Sequence, residues 1–214
     1  METLTAPPMT AYDLSEVDIA SEREDIPIEQ RHDVTVDELE RMWTSLPYPA
    51  ELYSGKVVYK MASYEHSRIQ INVGSALRNY EKSHPIGYTL TEVNVRLWKD
   101  RPKESRIPDI CFISKERVPK DKRRFPTMAP DLAVEIVSED DSYKKIMAKA
   151  KAYLQQGAKV VWVIFASTQE VLVCTAADKY YVDLDEALTA PEVLPDFALP
   201  VREIFDGIDE NGET

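Results

Sequence analysis

Three short runs constrain this chain more than any other feature. Ile110-Cys111-Phe112-Ile113, Leu132-Ala133-Val134-Glu135-Ile136-Val137 and Val160-Val161-Trp162-Val163-Ile164-Phe165 are almost unbroken apolar segments rich in β-branched and aromatic residues. A strand with one wet face alternates apolar with polar residues, whereas a near-continuous apolar run marks a strand covered on both faces. Such strands need helices above and below their sheet, and two amphipathic stretches supply them. In the segment Ser63 to Tyr80, residues Ile69, Val73, Ala76, Leu77 and Tyr80 fall on one helical stripe. A second stripe runs through Tyr143, Ile146, Met147, Ala150, Tyr153 and Leu154, with Ser138 or Asp140 available as its cap and Gly157 as its stop.

The remaining segments fill in the frame. Thr35 and Glu38 have capping-box spacing and open a short helix through Leu39, Met42, Trp43 and Leu46, which Pro47 and Pro49 end. Glu51 to Gly55 reads as a turn feeding a strand, Lys56 to Met61, and Pro85-Ile86-Gly87 breaks the long helix. Val93, Val95 and Leu97 alternate with polar residues as a half-buried strand, and 170–174 with 179–182 make a final hairpin or edge pair. The order strand, helix, three strands, helix, strands predicts one α/β domain, a mixed sheet flanked by helices, over residues 33–206. Residues 1–32, with Pro7-Pro8 and the acidic cluster Glu22, Glu24 and Asp25, read as a flexible acidic arm, and 207–214 as an acidic tail.

With 214 residues, 43% of them hydrophobic, the chain can fill a real core, which excludes wholesale disorder. Cys111 and Cys174, each inside an apolar run, read as buried thiols rather than a disulfide scaffold or a cysteine zinc site. The first residues lack the basic-then-apolar pattern of a leader, and no apolar stretch is long enough for a membrane helix, so a cytoplasmic protein with no membrane partner is expected. The net charge of −12 argues against a partner as anionic as nucleic acid, but the charge is unevenly spread. Residues 1–50 sum to −9 and 178–214 to −9, while 51–177 carry 21 basic against 15 acidic side chains, or +6. A cationic middle between acidic ends can attract phosphates locally, or the segregation can simply reflect solvated surfaces.

Two carboxylates interrupt otherwise apolar strands: Asp109, just ahead of Ile110, and Glu135, inside Ala-Val-Glu-Ile-Val. An unpaired carboxylate there costs several kcal/mol or neutralises itself, so each needs a cation. Either both share one divalent metal, with the Ile136 carbonyl as a further hard ligand, or each pairs with a neighbouring Arg or Lys. No G-x-G-x-x-G, phosphate-loop or G-x-S-x-G string is present, and the three histidines lack zinc-binding spacing.

Pro108-Asp109, followed by Glu135-Ile136-Val137, resembles the Pro-Asp…(Asp/Glu)-X-Lys nuclease motif. Further matching pieces run from about residue 35 to 206: Glu51-Leu52-Tyr53-Ser54-Gly55-Lys56-Val57, His66, Lys149 with Tyr153 and Gly157, Val161-Trp162-Val163-Ile164, and Leu194-Pro195-Asp196-Phe197. The ordered set is similar to the bacterial family named putative restriction endonucleases. That resemblance implies a restriction endonuclease-like fold and a metal-dependent endonuclease using Mg²⁺ or Mn²⁺, acting on DNA or alternatively RNA, commonly as a homodimer. By the same resemblance Asp109, Glu135 and Glu51 would be the metal acids, with Glu51 presented from the first helical region; read alone, Glu51 is equally a solvated loop carboxylate. The motif's lysine is Val137 here. Lys149, roughly 100° from the centre of its helix's apolar stripe, either leans over the sheet as the replacement or snorkels into solvent. His66 either touches a phosphate or leaving group or caps its helix. Lys115, Arg117, Lys120, Lys122, Arg123 and Arg124 form a loop that either grips a nucleic-acid backbone or is merely solvated. A degenerate nuclease-fold module that binds nucleic acid or protein without cleaving is the competing class.

Overall fold

The computed structural model describes residues 26–138 and 141–208. Helix α1 is Val36–Met42, followed by a hairpin of β1, Ala50–Tyr53, and β2, Lys56–Tyr59. The long helix α2, Tyr64–Ser83, leads into β3, Gly87–Thr91, and β4, Ile110–Ser114. Then come β5, Leu132–Val137, α3, Tyr143–Gln155, and β6, Val160–Phe165. Strands β7, Glu170–Thr175, and β8, Lys179–Val182, complete the main sheet. The pair β9, Ala187–Ala190, and β10, Leu194–Pro200, and the short α4, Val201–Ile204, close the domain. Six strands line up in the order β3-β4-β5-β6-β7-β8. Only β5 and β6 are parallel, because α3 carries the chain back across the sheet between them; the other neighbours are antiparallel.

The apolar runs are covered on both faces, as their composition requires. Leu132, Val134 and Ile136 of β5 pack with Trp162, Ile164 and the stripe Ile69, Val73 and Leu77 of α2. Ala133, Val161 and Val163 face the other way, onto Ile146, Ala150 and Tyr153 of α3. Since alternate residues of a strand point to opposite faces, Glu135 must point toward α3. A third cluster, Ile28, Val34, Leu39, Ala50, Leu52 and Val57, seats the hairpin. Its turn places Ser54 at φ 48° and Gly55 at φ 82°, the two left-handed positions of a tight hairpin turn. A side chain at Gly55 would bring its Cβ to 2.6 Å from the His32 carbonyl oxygen.

Several expectations are corrected. The strand at 93–97 does not form: Val95 makes one bridge, to Arg106, and the strand in that region is instead β3, starting at the Gly87 read as a breaker. Val95 and Leu97 are buried against the α3 layer without pairing into the sheet, which explains their alternation. Glu51 lies in strand β1, not in a turn or a helical region. The cap of α3 is Ser142, whose hydroxyl accepts from the Lys145 amide; Asp140 lies outside the described residues. Most of the expected arm also lies outside them, at 1–25, but Ile28 is buried in the hairpin cluster, so the folded part starts before residue 33. The C-terminal acidic block is folded into β8, β9, β10 and α4 through residue 208, with the rest of the expected tail, 209–214, again outside. Cys111 and Cys174 are free and buried. Among the described residues no helix is long and apolar enough to cross a membrane.

Candidate active site

Strand register brings the two interrupting carboxylates together. In the antiparallel β4–β5 ladder Ile110 stands opposite Val134, so one step further Asp109 comes level with Glu135, on the face covered by α3. Both are almost fully buried, at 1% and 2% exposure. The Ile136 amide donates to Asp109 Oδ2 at 2.6 Å, the Lys60 ammonium pairs with Oδ1, and His66 Nε2 lies 3.3 Å from the same oxygen. Glu135 accepts from Lys149 Nζ at 2.6 Å and from the Tyr153 hydroxyl at 2.8 Å. Those two donors sit four residues apart on α3, one above the other on the face toward the sheet. Glu51 enters from β1: its Oε2 accepts from the Ile107 amide at 2.9 Å and lies 3.5 Å from Lys149 Nζ.

The cluster floors a cleft of about 550 Å³ whose lining includes Glu51, Tyr53, Lys60, His66, Glu135, Ser138, Lys145 and Lys149. Burial alone would raise the Asp109 pKa, but Lys60 and His66 outweigh it and hold that carboxyl well below the usual range. Burial dominates at Glu135, whose pKa is raised despite Lys149 and Lys60. Burial would lower the Lys149 pKa, but Glu135, Glu51 and Asp109 together raise it, so the lysine is a firm cation. Burial likewise keeps the Tyr153 phenol protonated, well above its ordinary value.

The sequence candidates Asp109, Glu135, Glu51, Lys149 and His66 are therefore neighbours. Ile136 joins them through its N–H rather than through the carbonyl expected as a ligand. The basic loop does not join them. Asp109 precedes β4 and the loop follows it, which puts Lys115 six residues further on, roughly 20 Å away along the strand direction. There Arg117 Nη1 donates to Asp131 at 2.5 Å and Nη2 to the Ala129 carbonyl, while Arg124 pairs with Glu40. The Lys122 ammonium stands over the Tyr88 ring, so several of these cations have structural partners.

Lys60 and Tyr153 are the residues that sequence reading missed as site members. A signal for Lys60 exists in the hairpin register: Glu51 stands opposite Val58, and Lys60, two residues on, falls on that same face. Tyr153 enters the sequence reading as part of an apolar stripe and beside Lys149 among the positions that carry the resemblance, and neither reading gives its hydroxyl a role.

The donor chemistry suits a hard divalent cation, since oxygens of two carboxylates and the backbone oxygen of Ile107 converge on one point. As arranged, however, that point is held by Lys60 Nζ, which donates to the Ile107 carbonyl at 3.1 Å and lies 4.0 Å from Glu135 Oε2. Among the described residues no group of three or more His, Cys, Asp or Glu side chains is set to hold a metal ion.

Comparison with known proteins bears on the family and the fold. A family model, Uma2, described as "Putative restriction endonuclease", matches residues 36–202. A crystal structure described as a putative nuclease belonging to DUF820, from Anabaena variabilis ATCC 29413, superposes with a TM-score of 0.66 at 25% identity, covering 80% of this chain and 97% of that one. No curated protein matches the chain.

Proposed function

This chain belongs to the Uma2 family, with its restriction endonuclease-like fold, and from that premise we propose that it is a metal-dependent endonuclease cutting DNA in the cleft above Asp109 and Glu135. The observation that carries this reading is the convergence, from four separate elements, of three buried carboxylates and a buried lysine at the open end of β4 and β5. Burying that much charge has no packing benefit, since an apolar cluster of the same volume is as stable or more so.

Asp109, Glu135 and Glu51 are the residues that would hold Mg²⁺ or Mn²⁺ once Lys60 gives way. When bound, such an ion supplies positive charge for the scissile phosphate and acidifies its water. The chain's own groups do the rest. The Ile136 amide fixes the Asp109 carboxylate, and Tyr153 with Lys149 fixes that of Glu135, so the acids need no reorganisation. Lys149, in place of the lysine absent at Val137, sets a permanent cation where negative charge develops on the attacked phosphate. His66, at the mouth of the cleft and against Asp109, stands where the leaving oxygen can take a proton. Lys145 lines the same cleft and offers a phosphate contact.

A second reading, a module that binds nucleic acid without cutting, is favoured by Val137 and by the Lys60 ammonium at the cation point. Incubating the purified protein with plasmid, single-stranded DNA and RNA, each with Mg²⁺, Mn²⁺ or chelator, separates the two. We expect metal-dependent cutting of DNA that Asp109→Ala and Glu135→Ala abolish. Cutting that survives both substitutions overturns the site assignment, and binding without cutting under every condition favours the second reading.

A further inference from the structure

The Lys60 ammonium sits where oxygens from three residues converge. Its Nζ is surrounded by Asp109 Oδ1, the Ile107 carbonyl and, at 4.0 Å, Glu135 Oε2, all oxygens and two of them anionic. Such oxygens accept from an ammonium, and they are equally the hard donors that a divalent cation takes. Building on the reading above, we propose that Lys60 is an internal competitor for the catalytic metal: its ammonium holds the cation point in the metal-free protein, and a divalent ion binds by displacing it into the cleft.

Charge balance supports the exchange. As ionised groups, Asp109, Glu135 and Glu51 contribute three negative charges and Lys149 and Lys60 two positive ones, so these five side chains sum to −1. Removing Lys60 without replacement leaves −2 in a buried site, which is costly. A divalent ion in its place brings the sum to zero, whereas ion and ammonium together would give +1 and would compete for the same Asp109 oxygen. The exchange is therefore close to one for one.

Accessibility decides which lysine leaves. The Lys149 side chain is 7% exposed and enclosed between α3 and β5, bonded to Glu135. The Lys60 side chain is 18% exposed, follows the end of β2 and lines the cleft, so its stem can swing its head into solvent. Once there, the ammonium faces the space that a nucleic-acid phosphate would fill.

The test uses the full chain without nucleic acid, titrated with Mn²⁺ by calorimetry and followed by thermal unfolding in chelator or Mn²⁺. Lys60→Met, which keeps the stem and removes the charge, should bind Mn²⁺ about tenfold or more tightly than the natural protein. It should also unfold at a lower temperature in chelator and recover more on adding Mn²⁺, by linkage to the tighter site. Lys60→Arg, which keeps a cation there, should not show the gain. Lys60→Gln provides the same neutral test with a polar head if the methionine variant does not fold. Unchanged or weaker Mn²⁺ binding in the neutral variants, abolished by adding Glu135→Gln, overturns the competition while leaving the metal site standing. Tighter binding that persists after Glu135→Gln places the ion elsewhere and overturns the site reading as well. No Mn²⁺ binding in either neutral variant also overturns the proposal, because removing the competitor then uncovers no site.

Discussion

Lys149 compensates two buried acids at once, with its ammonium 2.6 Å from Glu135 and 3.5 Å from Glu51. Substituting it by Met removes that cation from a place where water cannot replace it. Breaking a buried pair by deleting one partner costs about 3–5 kcal/mol, because the surviving charge is left uncompensated. Lys149→Met should lose stability of that order in urea unfolding, and Glu135→Gln added to it should recover part of the loss, since the stranded charge is then gone. On the nuclease reading, Lys149→Met should also slow single-turnover cleavage by ~10²-fold with little change in DNA affinity. A Lys149→Met protein as stable as the natural one would show that the acids do not depend on this lysine.

At the scale of elements, the same two strands that present the acids at one end are tied together at the other. Asp131, entering β5, accepts from the Ser114 amide at 2.8 Å, the Ser114 hydroxyl at 2.9 Å and Arg117 at 2.5 Å, which fixes the loop after β4. Burial pushes the Asp131 pKa up, but these donors outweigh it and hold it below its ordinary value of 3.8. A carboxyl with a depressed folded pKa contributes stability that is present above its ordinary value and is lost as pH falls through the folded one. Asp131→Asn should therefore cost about 1.5–3 kcal/mol near pH 7, the range for hydrogen bonds to a charged group. That gap should narrow below about pH 4, where the natural protein loses the contribution too. Urea midpoints at pH 7 and pH 3 provide the comparison, and a gap of constant size would show that the ionised carboxylate is not the stabilising form.

For the whole molecule, the uneven charge takes on a different meaning once folded. The C-terminal acidic block is built into β8, β9, β10 and α4, so it is a surface property of the domain and not a second arm. Residues 1–25 remain a separate source of charge, with seven acidic residues and one basic, a sum of −6. On the nuclease reading, that tethered charge would compete with DNA phosphates for cleft cations such as Lys145, an effect that salt would screen within about 10 Å at 0.1 M. Removing 1–25 should tighten DNA binding at low salt, measured by fluorescence anisotropy, and the gain should fade as salt is raised. Equal affinity of the two forms at low salt would remove the segment from any part in binding.

The sequence by itself determined the layers of this protein and the acids inside them. Unbroken β-branched apolar runs read as strands covered twice, the stripes through Ile69 and Ile146 as the covering helices, and Asp109 and Glu135 stand out because burying charge in such strands is expensive. It also limited Lys149 to two positions, over the sheet or in solvent. Tertiary structure alone decided between them, because a helix's rotation over its sheet depends on the packing of Ile146, Ala150 and Tyr153 and not on spacing along the chain. It likewise decided that β3 and not 93–97 pairs with β4, since both segments alternate acceptably and only one can take the edge. The basic loop was legible as charge, yet its place at the far end of β4 follows from strand direction and length. Lys60 was the least legible of all: a lysine ending a hairpin strand is ordinary in sequence, and only folding that hairpin against β4 and β5 brings its ammonium to the two buried carboxylates.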